Sequence, residues 1–207
     1  MTLYDLKPRF QALLRPTANR IKDAGVTANN VTILAAVLSV LLGGTLTIWG
    51  SKMPFLFLLL PVWLIIRMAL NALDGILARE FGDESPLGAY LNELGDQISD
   101  IALILPFAFL ATFATEWVFA IVVLCLLSEF AGVAAALVGS QRRYDGPLGK
   151  SDRALVFGTL GAWIGIAGSL PHWINFLMPI LAVLLILTTV NRVRAGLASR
   201  VQRTSSC

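Results

Sequence analysis

Six long apolar segments follow one another along this 207-residue chain, with polar or charged residues between them. Each is close to the roughly 20 residues that an α-helix needs to cross a bilayer. The pattern predicts an all-α polytopic integral membrane protein with six transmembrane helices, and five is the alternative because the last two segments are short or interrupted. The predicted spans are 31–49, 54–77, 88–115, 117–140, 154–170 and 173–191.

Composition excludes an ordinary soluble domain. Hydrophobic residues make up 57% of the chain and charged residues only 14%, whereas soluble domains carry about 25% charged residues. The two cysteines predict neither a disulfide nor a zinc site, because Cys125 lies inside an apolar segment and Cys207 is the last residue. We expect membrane lipids as partners and no nucleic acid.

Basic residues are concentrated in alternate connections between the predicted spans. They precede the first span, follow the second and the sixth, and lie between the fourth and the fifth, while the other connections hold only Lys52. The positive-inside rule therefore places both termini and the connection after the second span in the cytoplasm. This orientation requires an even number of spans. We expect a multi-pass protein of the cell (inner) membrane.

The first 26 residues differ from the rest of the chain and form a predicted juxtamembrane segment. Apolar residues recur there at helical spacing among basic ones, at Leu3, Leu6, Phe10, Leu13 and Leu14. This spacing suits an amphipathic interfacial helix on an anionic membrane surface, with a solvated basic leader as the alternative. Pro8 and Pro16 predict that the helix is broken into short pieces. Residues 27–195 form the predicted membrane domain, and 196–207 a cytoplasmic tail.

Polar side chains cluster where the second predicted span ends and the third begins. The sequence reads N-A-L-D-G-I-L-A-R over residues 71–79 and G-A-Y-L-N-E-L-G-D over residues 88–96. Asn71 and Asp74 share one face of the first helix, and the acidic residues of the second helix share another. A short connection brings these faces together. Acidic groups in a low-dielectric place are unfavourable unless a cation joins them, and oxygen ligands favour Mg²⁺, Mn²⁺ or Ca²⁺.

The spacing D-G-x2-A-R-x8-G-x7-D, from Asp74 to Asp96, resembles the motif of the CDP-alcohol phosphotransferase (phosphatidyltransferase) family. Residues 27–32 also resemble the family's T-P-N-x-x-T opening, with alanine in place of proline. The family pattern carries four aspartates, and the first and third are here Asn71 and Asn92. The resemblance implies an enzyme of phospholipid biosynthesis. It would transfer a substituted phosphate group from a CDP-linked lipid, usually CDP-diacylglycerol, to an acceptor alcohol and release CMP.

The same resemblance implies a role for each matching residue. Asp74 would ligate Mg²⁺ or Mn²⁺, Asn71 and Asn92 would occupy further metal-ligand positions, and Asp96 would be both a ligand and the general base. The residues that would contact the nucleotide diphosphate are Asn29, Asp74, Gly75, Ala78, Arg79 and Gly88. The family also implies a homodimer.

Two departures leave alternatives open at this site. Asn71 and Asn92 remove two formal negative charges, because a carboxamide oxygen ligates a cation without carrying charge. Glu93 shares a helical arc with Asp96. It is therefore a candidate metal ligand that would supply one of the two missing negative charges. The alternative is that Glu93 is solvated at the level of the lipid headgroups. The number of metal ions therefore stays open. The small residues of the motif have a second explanation too, since they let membrane helices pack closely.

Lys150 and Arg153 lie just before the fifth predicted span. Basic residues in this position suit an anionic acceptor such as a sugar phosphate or a glycerol phosphate. The alternative is that they are ordinary positive-inside anchors. Asp152, between them, is a candidate helix cap.

Three charged residues fall at one depth inside the predicted spans. Arg67, Asp100 and Glu129 each lie 12 residues from the cytoplasmic ends of their helices, which places them about 18 Å deep. Opposite charges on facing helices offset part of the cost of burial. We expect a buried charge network of Arg67 with Asp100, Glu129 or both, and separate water-filled cavities are the alternative.

Three other functions compete with the transferase. Intramembrane acids also build transport pathways, but a transporter site tends toward the bilayer midplane and internal repeats, and the chain shows no repeat. A catalytically weakened homologue would follow if the two asparagines abolish metal binding. A hydrolase would use water as the acceptor. The sequence does not name the acceptor alcohol.

Overall fold

The computed structural model describes the backbone of residues 3–204 and the side chains of residues 12–199. This described part is all-α, which confirms the all-α class that the sequence predicted. Its seven α-helices are α1 (Leu3–Asp23), α2 (Ala28–Trp49), α3 (Leu59–Phe81), α4 (Pro86–Ile104), α5 (Thr115–Ala134), α6 (Lys150–Ala167) and α7 (Leu177–Thr204). Four short 3₁₀ helices extend or precede them, at Pro54–Leu58, Leu105–Phe109, Ala135–Val138 and His172–Phe176.

Four helical segments of the described chain are long and apolar enough to cross a membrane, judged by length and composition. They are Ala28–Trp49, Pro54–Phe81, Thr115–Val138 and His172–Ser199. Helices α4 and α6 occupy the positions of the third and fifth predicted spans, but each carries three charged residues. The six-span topology therefore stays a prediction, and the four apolar segments are what length and composition support.

The chain divides into two compact units. Unit 1 comprises Met1–Leu42 and Val62–Leu103, and unit 2 comprises Gly43–Pro61 and Ile104–Cys207. Unit 1 holds α1, α4 and the motif-bearing end of α3. Its apolar core joins α1, α2 and α3 through a set of buried residues, namely Ala18, Ala28, Val31, Leu73, Ile76 and Leu77.

Helix α1 is continuous from Leu3 to Asp23, so the predicted break at Pro8 and Pro16 is wrong. The physical reason lies in packing, because Leu14 and Ile21 pack against the unit 1 core and Ala18 is fully buried in it. This burial offsets the hydrogen bonds that the prolines cannot donate. Part of the apolar face that was expected to lie on the membrane thus faces protein. The side chains of Leu3, Leu6 and Phe10 lie outside the described residues.

Two ion pairs attach α1 to the last turn of α3 and to the connection that follows it. Arg15 donates to both carboxylate oxygens of Glu80 at 3.1–3.4 Å, and Lys22 donates to Asp83 at 2.8 Å. The hydrogen bond from Lys22 holds the pKa of the Asp83 carboxyl below its usual range, against the opposing effect of burial. The connection that joins the two halves of the motif is therefore held from outside by α1.

Unit 2 is built on close packing of aromatic side chains and helices. Phe107 contacts Phe57, Phe113 and Phe157 in edge-to-face geometry, with ring centroids 5.1–5.8 Å apart. Helix α6 lies against the 3₁₀ helix at Pro54–Leu58, where a Cβ on Gly161 would approach the Phe57 carbonyl at 3.2 Å. Helices α5 and α7 pack side by side. This arrangement brings the end of α5 next to the basic half of α7.

Candidate functional site

The two halves of the motif lie on α3 and α4, which a tight turn joins. Gly82 adopts a positive φ of 75° after the end of α3, a conformation that glycine takes at low cost. The Ser85 hydroxyl then accepts a hydrogen bond from the Gly88 amide at 2.9 Å and caps α4. The chain reverses within a few residues, so polar residues about 25 positions apart become neighbours.

Asp96 on α4 is held by two side chains of α3. Its Oδ1 accepts a hydrogen bond from Asn71 Nδ2 at 3.1 Å and from Arg67 Nη2 at 3.2 Å. The same guanidinium nitrogen of Arg67 donates to the backbone carbonyl of Asp96 at 3.0 Å. A carboxylate only accepts hydrogen bonds, so the carboxamide nitrogen of Asn71 is the group that faces it. Asp96 is thus fixed in position by α3.

Arg67 also pairs with Asp100, one turn further along α4. The distance from Arg67 Nη1 to Asp100 Oδ1 is 2.6 Å, and the two side chains are 5% and 10% exposed. The expected pair of Arg67 with Asp100 is therefore present in unit 1. One guanidinium serves two carboxylates, which is the arrangement that a fork of five N–H donors permits.

Asp74 lies at the end of the same α3 face but has a different partner. It is 8% exposed, and its Oδ2 accepts a hydrogen bond from the Thr32 hydroxyl of α2 at 3.0 Å. Thr32 is the last residue of the opening that resembles the family's T-P-N-x-x-T, but the sequence assigned it no role at the site. Thr27, at the start of the same stretch, accepts from the Asn30 amide at 3.3 Å and caps α2.

Gly75 and Gly88 leave space that other polar side chains occupy. A Cβ on Gly75 would lie 2.7 Å from Arg79 Nη2, so the guanidinium of Arg79 lies across this glycine. A Cβ on Gly88 would lie 2.7 Å from Asn29 Oδ1. Both glycines thus allow a predicted nucleotide-binding side chain to approach the backbone closely. Ala78 lies between the two glycines in the sequence. Its side chain is partly buried and packs against the unit 1 core.

The oxygen ligands of this region suit a hard cation, but they carry less negative charge than the four aspartates of the family pattern. Among the described residues, no three carboxylate, imidazole or thiolate side chains form a group able to hold a metal ion, so Glu93 does not complete such a group. Asp74 and the carboxamides at Asn71 and Asn92 supply oxygen ligands of the type that Mg²⁺ and Mn²⁺ prefer. The residues fit a divalent cation whose charged ligand is Asp74.

A second polar cluster lies in unit 2, around Glu129 of α5. Three arginines contact its carboxylate: Arg153 at 3.1 Å, Arg192 at 3.1 Å and Arg142 at 3.3 Å. Glu129, Arg153 and Arg192 are all at most 5% exposed. Three guanidinium groups therefore converge on one buried carboxylate. The partners of Glu129 in its own unit are these arginines.

The surrounding chain fixes the arginines in this cluster. Arg192 donates to the Ser128 carbonyl at 2.6 Å and to the Asp145 carbonyl at 3.3 Å. Gly132 makes room for it, since a Cβ there would lie 3.5 Å from the Arg192 side chain and 2.5 Å from a backbone carbonyl. Arg143 pairs with Asp145 through two hydrogen bonds of 2.8 and 2.9 Å, and these lower the pKa of the Asp145 carboxyl.

Of the two predicted acceptor-binding residues, Arg153 belongs to this cluster and Lys150 is the first residue of α6. Asp152 accepts a hydrogen bond from the Gly149 amide at 2.8 Å, which confirms it as the cap of α6. The sequence did not single out Arg142 and Arg192. Both arginines lie directly after a predicted apolar span. Ordinary membrane anchors lie there too, so this position alone did not mark either of them as a site residue.

Comparison with known proteins gives one family. The sequence profile described as CDP-alcohol phosphatidyltransferase matches residues 25–191. The chain is 49% identical to the inner membrane protein YnbA of Escherichia coli K12, over 95% of this chain and 97% of that protein. It is 29% identical to the phosphatidylinositol phosphate synthase of Mycobacteroides abscessus, over 90% of this chain and 84% of that one.

The fold also matches solved structures of the phosphatidylinositol phosphate synthase of Mycobacterium tuberculosis. The complex with manganese and citrate superimposes with a TM-score of 0.73 at 22% identity, and the match covers 87% of each chain. The structure with CDP-DAG bound gives a TM-score of 0.72 at 21% identity, over 87% of this chain and 92% of that one. These likenesses establish the shared membrane fold.

Proposed function

Because the chain belongs to the CDP-alcohol phosphatidyltransferase family, we propose that it transfers a phosphatidyl or other substituted phosphate group from a CDP-linked lipid to an acceptor alcohol. The observation that carries the proposal is the pairing of the two motif halves, with Asn71 and Asp96 hydrogen-bonded across 25 residues of sequence. CDP-diacylglycerol is the proposed donor and CMP the product that leaves. The protein would thereby act in phospholipid biosynthesis.

On the donor side, the residues of unit 1 divide into two groups. Arg79 lies across Gly75, and Asn29 lies against Gly88. These residues, with Ala78, would bind the nucleotide diphosphate, because fixed cationic and amide donors match its oxygens. Asp74, with the carboxamide oxygens of Asn71 and Asn92, would hold a Mg²⁺ or Mn²⁺ ion. When bound, the ion would neutralise charge on the diphosphate.

The transfer itself needs a proton acceptor. Asp96 is the carboxylate that α3 holds in place, so it is the proposed general base. It would take the proton from the acceptor hydroxyl as the hydroxyl oxygen bonds to the lipid-bearing phosphorus. The bond from that phosphorus to the CMP oxygen breaks, and CMP leaves with the electron pair.

On the acceptor side, the Glu129 cluster of unit 2 would bind an anionic alcohol. Three guanidinium groups, of Arg142, Arg153 and Arg192, converge there on one carboxylate. A phosphate monoester on the acceptor would suit this basic cluster, because guanidinium groups bind phosphate oxygens through charge-assisted hydrogen bonds. Lys150 and Arg153 would contribute to this binding. A phosphorylated sugar or polyol is therefore the proposed acceptor class.

Residues 27–195 would form the catalytic membrane domain, with six spans, cytoplasmic termini and a cytoplasmic active site. We expect a homodimer by family membership. The second candidate is a catalytically weakened homologue, which the carboxamides at Asn71 and Asn92 favour. A transporter has no supporting observation beyond the buried acids.

The test is an acceptor panel. The purified protein receives radiolabelled CDP-diacylglycerol, Mn²⁺ and one alcohol at a time, in matched phosphorylated and unphosphorylated pairs, and the lipid product is identified. We expect CMP release and a new anionic lipid with a phosphorylated member. Release of CMP at the same rate without any alcohol would indicate a hydrolase, and no release with any alcohol would indicate the weakened homologue.

A further inference from the structure

Thr32 of α2 reaches the motif from a third helix. Its hydroxyl lies within hydrogen-bond distance of two acceptors, Asp74 Oδ2 at 3.0 Å and the backbone carbonyl of Ala28 at 3.1 Å. A hydroxyl has one proton to donate. A hydrogen bond to an ionised carboxylate is about twice as strong as one to a neutral acceptor, and the Ala28 carbonyl is already the helical acceptor for the Thr32 amide. The proton is therefore directed at Asp74.

The methyl group of Thr32 restricts the direction of this hydroxyl. A Cβ on Gly95 of α4 would lie 3.6 Å from the Thr32 methyl and 3.6 Å from the Cβ of Ala36, so α4 passes close to this side of α2. A β-branched side chain has few rotamers in a helix, and rotation about the Cα–Cβ bond would move the methyl from α4 and turn the hydroxyl away from Asp74. Thr32 thus faces α4 with its methyl and α3 with its hydroxyl.

The first two turns of α2 line the part of α4 that carries the motif glycines. Asn29, three residues before Thr32 and on the same face of α2, lies so near Gly88 that a Cβ there would be 2.7 Å from its Oδ1. Gly88 and Gly95 are seven residues apart, so they share one face of α4. The same face of α2 therefore lies against α4 and reaches Asp74 on α3.

We propose that Thr32 is a positioning residue for Asp74, and that its hydroxyl orients this carboxylate for binding the divalent cation. The inference rests on the proposed function for the assignment of Asp74 as the charged cation ligand. The bond holds Oδ2, whichever other groups the carboxylate contacts. Loss of a hydrogen-bond partner of a metal ligand typically weakens metal binding about 10- to 100-fold, because the ligand is no longer held in its orientation.

Ser39 of α2 provides a matched comparison in the same unit. Its buried hydroxyl donates to the Ala35 carbonyl at 2.7 Å and accepts a hydrogen bond from Trp63 Nε1 of α3 at 2.9 Å. The hydroxyls of Ser39 and Thr32 both link α2 to α3, but the partner of Ser39 is an indole and the partner of Thr32 is a carboxylate. A role in helix packing alone would make the two residues equivalent.

The test is the affinity of the full chain for Mn²⁺ in detergent micelles, measured by electron paramagnetic resonance without any substrate. Thr32→Val keeps the shape of the side chain and removes the hydroxyl, so Mn²⁺ binding should weaken about tenfold or more. Thr32→Ser keeps the hydroxyl and should bind Mn²⁺ within about threefold of the unsubstituted protein. Ser39→Ala should leave the affinity unchanged.

A second hydroxyl-free variant covers the case in which Thr32→Val does not fold. Thr32→Ser and Thr32→Ala differ by one hydroxyl group, so the serine variant should bind Mn²⁺ about tenfold more tightly than the alanine variant. Thermal unfolding of each variant measures its stability separately from its affinity for the ion.

The outcomes separate this inference from the proposed function. The inference is wrong if the hydroxyl-free variants bind Mn²⁺ as tightly as the unsubstituted protein, or if Ser39→Ala weakens binding as much as they do. It is also wrong if Thr32→Ser does not preserve binding, or if the unsubstituted protein binds no Mn²⁺. In each of these cases, acceptor-dependent CMP release would still support the transferase. The expected affinities with no reaction of any acceptor would uphold the role of Thr32 and contradict the transferase proposal.

Discussion

Nη2 of Arg153 lies 3.1 Å from Oε1 of Glu129, and both side chains are almost completely buried. Two further arginines reach the other carboxylate oxygen of Glu129. One glutamate therefore joins the connector after α5, the start of α6 and the second half of α7. Loss of this carboxylate should affect the whole of unit 2.

The first prediction concerns this glutamate. Glu129→Leu leaves the buried guanidinium groups without their carboxylate, so the free energy of unfolding should fall by about 3–5 kcal/mol. Chemical unfolding in detergent micelles measures the change. Glu116→Leu is the matched control, since Glu116 is exposed on the same helix. Equal stability of the two variants would contradict the central role of Glu129.

The second prediction concerns the pair of Arg67 and Asp100. Arg67→Met should destabilise the protein by about 3–5 kcal/mol, because two carboxylates lose their buried counter-charge. The double variant Arg67→Met with Asp100→Leu should recover part of the loss, since one uncompensated charge is removed as well. A double-mutant cycle of unfolding free energies measures the coupling. Strict additivity of the two changes would show that the pair contributes nothing.

The third prediction uses the close approach at Gly88. Gly88→Ala would place a methyl group 2.7 Å from Asn29 Oδ1, so Asn29 must move from the position in which we propose that it contacts the nucleotide. The KM for CDP-diacylglycerol should rise about tenfold or more, because displacements near 1 Å have large effects on bound geometry. Gly44→Ala is the control, as its Cβ would meet nothing within 4 Å. The same KM in both variants would rule out crowding at Gly88.

The fourth prediction is a pH dependence outside the membrane spans. The pKa of Asp83 lies below its ordinary value of 3.8, because Lys22 hydrogen-bonds to its carboxylate. The stabilising effect is therefore present above about pH 4 and is lost as the pH falls through the lowered pKa. The thermal midpoint of the protein should exceed that of Asp83→Asn at pH 7, and the gap should narrow below pH 4. A gap that is constant from pH 7 to pH 3 would contradict this assignment.

The sequence predicted those features that follow from helical geometry along short distances. Counting residues predicted that Arg67 and Asp100 lie at one depth on consecutive helices, and it left Glu129 open as another partner; the structure pairs Arg67 with Asp100. Asp152 could be recognised as a cap from its position in the first turn of α6. The helical segments follow the apolar pattern, but α4 ends at Ile104, well before the predicted end at 115, and α7 continues to Thr204, well past the predicted end at 191.

Other features depend on contacts between distant segments, which no local pattern encodes. Arg192 reaches Glu129 from 63 positions away, and its distance from the motif gave no reason to choose it over other basic residues. Helix α1 continues through Pro16 because Leu14 and Ala18 pack on the unit 1 core. The direction of the Asn71 carboxamide depends on Asp96, and an asparagine in a sequence does not show which of its atoms faces a neighbour.

The most direct test of the central claim is the effect of Asp96→Asn on acceptor-dependent CMP release. With labelled CDP-diacylglycerol, saturating Mn²⁺ and the acceptor found in the panel, the rate should fall about 10²-fold or more, because the base that accepts the hydroxyl proton is lost. The KM for the CDP-lipid should stay close to that of the unsubstituted protein. Normal turnover by Asp96→Asn at saturating Mn²⁺ would contradict the account.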